Sequence, residues 1–422
     1  MRVWSGGRSA AGGSTSGCFR SRWSFYEGRS PHPWVWAHSY DGHLAVATSA
    51  HDLPVQRDRS TFAYVVLLTV GAVDAAGYSI IAPVTPAIAR STGARPGLIG
   101  ALVASFALGS VIASVLAAVG VKRGRSTRVL MISLAMLGLG SLGFVVGDGL
   151  GVYFVARFTM GMGAGGIWMG VTFNVLQRYP GQEYLCMSKI FAAYAVGGLV
   201  GPALGSFGGI ARPFAIYFIL VLVVAVLVSM MGESHSTRSF DADRSALRLP
   251  AFWLSSAGLL FAVLGLGMVE GVLPLHLNSQ LSQSRIGLLY AAMSVVVAVA
   301  SALASRLRPR QALGAALALI VLGITVAGAG DQIPTWAAAL AVAGVGIGLA
   351  NTGSIGVLLE GVPTERIVTA MVVWSQLGIV GYFIGPLTGG FIAEYAGYQA
   401  IGLVPLLATI PVLALALRMR RS

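Results

Sequence analysis

The chain has 422 residues, of which 56% are hydrophobic and 10% charged, a balance that no soluble domain of this length needs and that marks a polytopic membrane protein. Its net charge of +13 does not require nucleic acid, because the basic residues fall in short loops between apolar runs. Cys18 and Cys186 are the only cysteines, which argues against a disulfide framework, and the irregular spacing of His32, His38, His43 and His51 matches no zinc pattern.

Residues 1–61 are rich in Gly, Ser, Arg and Trp, show no helical period and hold no apolar run long enough for a signal-peptide core. A disordered cytoplasmic tail is expected there; its four tryptophans, Trp4, Trp23, Trp34 and Trp36, also fit a start codon assigned too far upstream. From Thr61 onward about twelve apolar stretches recur, each long enough to cross a hydrocarbon core of about 30 Å as a helix. They are predicted at 62–89, 96–121, 129–147, 150–176, 186–210, 212–232, 250–276, 284–305, 310–330, 333–359, 366–395 and 397–418. The polar stretch 233–249 is the longest break in the series and divides it into an N-terminal bundle, 62–232, and a C-terminal bundle, 250–422, with a cytoplasmic loop between.

Charge is distributed unequally over the two sides of this series. One side collects most of the basic residues, among them Arg59, Lys122, Arg125, Arg128, Arg238, Arg306, Arg310 and Arg366, and the other only Arg90, Arg95, Arg212 and Arg285. The positive-inside rule then puts both termini in the cytoplasm of a multi-pass protein of the inner (plasma) membrane. The basic loops Lys122–Arg128 and Arg306–Arg310 follow the second helix of each half, so the halves share one orientation about an axis along the membrane normal.

An internal repeat supports that duplication. Gly197-x-x-x-Gly201-Pro202-x-x-Gly205 in the fifth predicted helix recurs with one constant offset as Gly381-x-x-x-Gly385-Pro386-x-x-Gly389 in the eleventh. Glycines four residues apart form one stripe where a neighbouring backbone can come close, and each proline removes a helix hydrogen bond and introduces a bend. Both helices are therefore expected to make sliding, gating contacts at the interface of the halves; ordinary small-residue packing is the alternative.

Charges inside apolar helices cost a few kcal/mol each and persist mainly where they line a cavity. Three qualify: Asp74, Arg157 and Glu270. Asp74 lies roughly 18 Å into the first helix and Arg157 roughly 10 Å below the opposite surface in the fourth, so the two are expected to face each other and to interact. Glu270 falls late in the seventh helix and is expected to exchange protons, as is Asp74; a purely structural hydrogen bond between helices is the other reading of each. Tyr78, Trp168, Tyr194, Asn351, Trp374, Gln376 and Tyr382 are candidates to line a pocket for an amphipathic molecule, or else to fill the bundle. Asp148, Asp331, Glu394, Glu183, Glu360 and Glu365 are read as solvated helix ends, with Glu360 able to reach the cytoplasmic mouth.

At this point the chain resembles the major facilitator superfamily, and most closely its twelve-helix drug/proton antiporter branch, over nearly all of 62–418. Val73-Asp74-Ala75-Ala76-Gly77 with Pro83-Val84-Thr85-Pro86 is similar to the first helix of tetracycline/proton antiporters and vesicular amine transporters, and Gly267-Met268-Val269-Glu270 with Leu273-Pro274 is similar to the seventh helix of the latter. Arg157 with Gly161, Gly163 and Gly165 looks like the family's arginine-glycine motif, associated with proton coupling, and the helix 5 repeat looks like its antiporter motif. Ser188 stands where that motif opens with a glycine, and Gly205-Ser206 where it ends in a glycine pair. The family's cytoplasmic loop, Gly-x-x-x-Asp-Arg-x-Gly-Arg, is matched by Ala117-x-x-x-Val121-Lys122-Arg123-Gly124-Arg125, without the acidic residue that helps latch the halves. The resemblance implies an all-α membrane protein of twelve transmembrane helices in two pseudo-symmetric six-helix bundles, working as a monomer in the lipid bilayer without a cofactor or metal.

Function is weighed on the same residues. No Gly-x-x-x-x-Gly-Lys-Ser/Thr loop is present for an ATP-driven pump, and no His-Glu-x-x-His or Gly-x-Ser-x-Gly signature for a membrane enzyme. The expectation is proton-coupled efflux of a small amphipathic or cationic compound by alternating access, with a proton-coupled metabolite uptake symporter of the same fold as the alternative and a non-transporting receptor or scaffold as a third.

Overall fold

A computed structural model of the chain describes residues 54–122, 125–179, 182–233, 244–363 and 366–421. The expected disordered tail with Cys18 and its histidines, Gly124 of the basic loop, most of the central loop and Glu365 lie outside the described residues. Fourteen α-helices follow in chain order: α1 Pro54–Ser79, α2 Thr85–Thr92, α3 Pro96–Lys122, α4 Ser126–Val146, α5 Leu150–Arg178, α6 Glu183–Gly205, α7 Ala211–Ser229, α8 Pro250–Gly271, α9 Leu273–Leu277, α10 Gln283–Ala304, α11 Pro309–Ala329, α12 Ile333–Gly361, α13 Ile367–Ala396 and α14 Leu403–Arg421.

Because α2 continues α1 beyond a short 3-10 turn at Ala82–Val84, and α9 continues α8, the fourteen helices stack into twelve rods. Ten of these are long and apolar enough to cross a membrane, and α6 contributes the shorter apolar stretch Lys189–Gly205. The remaining rod, α5, has the length at 29 residues but dilutes its apolar side chains with glycine and carries Arg157, Asn174 and Arg178. The first helix starts at Pro54, ahead of the predicted 62, because helical backbone runs on through a polar turn that an apolar window does not register. Large apolar side chains such as Val65, Leu116, Ile132, Val155, Ile219, Leu288 and Leu407 stand exposed on the outer faces, the surface a bilayer covers.

Packing repeats between the halves as the sequence does. α1 packs on α6 as α8 does on α13, α4 on α5 as α11 on α12, α3 on α5 as α10 on α12, and α4 on α7 as α11 on α14. Each half has its own apolar core. Among the described residues, Tyr382 is the one fully buried side chain of the C-terminal half that belongs to the N-terminal core.

The two helices that carry the repeat, α6 and α13, do lie at the interface of the halves as expected, but their glycine stripes face inward, each within its own half. A Cβ at Gly201 would come within 2.5 Å of the Ala76 carbonyl oxygen on α1, and one at Gly205 within 2.6 Å of the Ile80 carbonyl oxygen; Gly197 meets α1 at Ala72 and Ala75. Gly381 and Gly385 press in the same way on the Leu260 and Leu264 backbone of α8, and Gly389 on Met268. Four-residue spacing fixes that a backbone must approach, and the partner is the helix within the same half.

Contact between the halves is made by the adjacent faces, where α3 runs along α13 and α6 along α10. Polar contacts across it cluster at the arginine-poor end, the end carrying Arg90, Arg95, Arg212 and Arg285, while apolar contact continues toward the basic end, where Val372 packs on Met169 and Phe173 and Phe191 packs on the Trp374 cluster. A Cβ at Gly390 would meet the Pro96 carbonyl oxygen at 2.6 Å, and one at Gly287 the Pro202 carbonyl oxygen at 2.7 Å, so these backbones are nearly touching. The Gln283 side chain, buried between them, donates to Gly205 O at 2.8 Å and Gly209 O at 2.9 Å and accepts from Gly209 N at 3.0 Å. Ser284 donates to Ser206 O at 2.7 Å, and Arg90 to Asn278 at 2.8 Å. Glu394 was read as a solvated end; its carboxylate instead caps the start of α3 in the other half, accepting from Gly97 N at 3.1 Å with Arg95 at 3.6 Å. Removing the clasp with Gln283→Leu forfeits three hydrogen bonds, each worth about 0.5–1.5 kcal/mol net. The distance between spin labels on Phe207→Cys and Ser282→Cys is then expected to lengthen and broaden relative to the Gln283 parent.

Candidate functional site

Why Arg157 sits where it does begins with a proline. Pro83 cannot donate to the Ser79 carbonyl, α1 ends at Ser79 and the chain turns before Pro83, so the Gly77 and Tyr78 carbonyls also lack helical partners at membrane depth. Ile80 N still reaches Ala76 O at 2.9 Å. The next two carbonyls are taken by the fully buried Arg157, whose Nη1 donates to Gly77 O at 2.9 Å and Nη2 to Tyr78 O at 2.8 Å, with its Cζ 4.3 Å above the Phe106 ring. A cation at a helix C-terminus is favourable, and the planar fork matches two adjacent oxygens. The motif glycines hold it there: Gly161 and Gly165 press α5 on the backbone of α3 at Phe106 and Ser110, and Gly163 presses it on α4 at Ser133 and Leu137.

Asp74 is not the partner of Arg157, contrary to expectation. Among the described residues the ion pairs within 4.0 Å are Arg95–Glu394 and Arg128–Glu233. Arg157 is committed to carbonyls about one turn further along α1. Asp74 is 1% exposed, and its Oδ1 is buried with no hydrogen-bond partner. Tyr217 of α7 lies in electrostatic reach, with its own hydroxyl donating to Val73 O at 3.0 Å.

Glu270 is also buried, at 4% exposure, and accepts a hydrogen bond from Tyr382 at 3.0 Å on Oε2. The Tyr382 ring lies 4.3 Å from that of Tyr78 and 6.3 Å from Phe106, and Tyr78 and Phe106 meet edge to face at 5.7 Å. An aromatic cluster from α1, α3 and α13 thus fills the space between Arg157 in one half and Glu270 in the other. In the repeat, Gly197 against Ala72–Ala75 corresponds to Gly381 against Leu260–Leu264, so the position matching Asp74 on α8 lies about two turns, roughly 12 Å, before Glu270.

Toward the basic end the candidates spread out. Trp168 donates to Ser375 across the halves at 2.8 Å and packs against Phe191 at 5.4 Å and edge-on to Tyr194 at 6.0 Å. Trp374 is buried in a cluster with Phe252 and Leu259, its Nε1 unpartnered; both amide atoms of Gln376 and the Tyr78 hydroxyl are likewise buried without partners. Trp168, Tyr194, Asn351 and Gln376 are half-buried. Arg125 is exposed, the side chain of Lys122 lies outside what is described, and Asp148, Asp331 and Glu360 are exposed as the sequence suggested. Phe106, Tyr217 and Gln283 were missed. Only for Phe106 was there a signal, as the one aromatic side chain in the third helix, α3.

The sequence profile of the Major Facilitator Superfamily matches residues 67–280 and 255–422. Multidrug resistance protein 2 of Bacillus subtilis (strain 168) is 29% identical over 178 residues, 41% of this chain and 44% of that protein. The quinolone resistance protein NorA of Staphylococcus aureus (strain MSSA476) is 24% identical over 201 residues, 46% of this chain and 52% of NorA. The matched region thus spans about half the length of these curated relatives. A bacterial homolog of the human lysosomal transporter Spinster, solved in an inward-facing and occupied conformation, has a TM-score of 0.72 at 15% identity, covering 85% of this chain and 97% of that one. At that identity the likeness carries the fold.

Proposed function

The chain belongs to the Major Facilitator Superfamily, and on that premise we propose that it is a secondary active transporter that expels a small amphipathic, cationic compound in exchange for protons. The observation that carries this reading is Asp74. A carboxyl is kept 1% exposed among apolar helices with a bare Oδ1 and no ion pair among the described residues, although an amide or an apolar group would be cheaper to bury. The partial likeness to two drug-resistance proteins supports export as the direction.

Two carboxyls at different depths give the exchange its order. With the arginine-poor end clasped, cargo enters from the basic end past the half-buried Trp168, Tyr194, Asn351 and Gln376 and reaches Asp74, while Asp74 and Glu270 give up their protons to that side. The halves then rock, which requires the Gln283 and Glu394 contacts to part. Protons arriving from the arginine-poor side neutralise Glu270 and then Asp74, and the cation leaves. Cargo and proton exclude each other because both use the same negative charge. Arg157 stays fixed on the α1 carbonyls throughout and keeps that helix end closed.

Inverted membrane vesicles test this directly, with ethidium as the probe cation. Acidifying the lumen is expected to drive ethidium into it, and collapsing the gradient to release it. Ethidium moving with the proton flux, out of the acidified lumen, would favour uptake by symport and overturn the proposal.

A further inference from the structure

We infer that Tyr382 is a positioning residue that transmits the protonation state of Glu270 to the N-terminal half, an inference that rests on the transport reading above. Tyr382 belongs to α13 in the C-terminal half, yet it is buried in the core of the other half. Its hydroxyl and its ring have different duties. The hydroxyl donates to Glu270 Oε2 at 3.0 Å, and the ring rests 4.3 Å from Tyr78, on the α1 segment whose Tyr78 carbonyl is held by Arg157.

A carboxylate can only accept, so an ionised Glu270 fixes the Tyr382 hydroxyl in one direction by a charge-assisted bond. A protonated Glu270 has its own O–H to donate and accepts more weakly, so the hold on Tyr382 slackens. The ring is wedged among Tyr78 and Phe106, and movement at the hydroxyl is therefore felt at the contact between the halves. The other titratable groups facing this position are consistent with one switchable acid. Tyr290 of α10 is tied to the Val269 carbonyl, Arg157 of α5 is tied to α1, and Tyr78 is held in the stack; among the described residues the hydrogen-bond partner of the Glu270 carboxylate is Tyr382.

The test uses the full chain in proteoliposomes and compares two ethidium rates, movement driven by an imposed pH gradient and counterflow at equal pH. Tyr382→Phe keeps the ring and loses the donor, whereas Tyr78→Leu keeps the Tyr382–Glu270 bond and loses the stack. Each is expected to lower the ratio of gradient-driven rate to counterflow by about tenfold, the scale of one charge-assisted hydrogen bond, and Tyr78→Phe, which keeps the stack, to restore it. A wild-type ratio in either Tyr382→Phe or Tyr78→Leu overturns the inference; if Tyr382→Phe does not fold, Tyr78→Leu decides. A wild-type protein that performs counterflow but ignores the gradient, or is inert in both assays, instead overturns the transport reading on which the inference rests.

Discussion

Arg157→Ala is expected to be the most damaging single substitution in the chain, abolishing transport and destabilising the fold together. Two carbonyls at the broken end of α1 lose the donors that Arg157 supplies at membrane depth, where no water replaces them. At about 1–3 kcal/mol for each buried group left unsatisfied, the loss is about 2–6 kcal/mol. The Phe106 ring also loses the cation above it. Arg157→Lys keeps the charge but replaces a planar fork by a single point, and is expected to recover part of the stability. Thermal unfolding in detergent, read beside ethidium flux, checks both. An Arg157→Ala protein as stable as its parent would show that the guanidinium does not support α1.

Glu270→Gln and Asp74→Asn are expected to behave in the opposite way, with large losses of activity and small changes in stability. A permanently neutral side chain at 270 cannot take up or release a proton, so gradient-driven flux should fall by about a hundredfold or more. The amide oxygen of Gln can still accept from Tyr382, which keeps the aromatic cluster in place. Among the described residues Asp74 makes no ion pair and its Oδ1 no hydrogen bond, so Asp74→Asn is expected to change stability by no more than about 1 kcal/mol while abolishing transport of a cation. Unchanged flux and unchanged pH dependence in both variants would leave the carboxyls a structural role only. The contrast with Arg157 separates a side chain that holds the fold from two that the fold holds for use.

The rods, their division into halves and the three intramembrane charges were all legible from the chain, because apolar length and the rarity of charge in oil are local properties. Which groups meet was not. Depth alone pairs Arg157 with Asp74, but the guanidinium is bound by carbonyls left free where α1 ends before Pro83; the proline is visible in the sequence, and the helix rotation that aims Arg157 at the break is not. The glycine stripes were read correctly as sites of close backbone approach and assigned to the wrong neighbour, since a stripe carries no label for its partner. Gln283 and Glu394 look like any polar residue at a helix end, and only the approach of the opposite half turns them into a clasp. Tyr382 was among the candidates for a pocket, but its bond to Glu270 joins residues 112 apart in the chain and has no sequence signature.

Exchange of cation for proton requires Asp74 and Glu270 to take up and release protons inside the bundle, and infrared difference spectroscopy of the reconstituted protein between acidic and alkaline buffer reads this without any cargo. Protonated-carboxyl bands are expected to appear and vanish reversibly, one lost in Asp74→Asn and another in Glu270→Gln. A difference spectrum in which neither substitution removes a band would contradict this exchange.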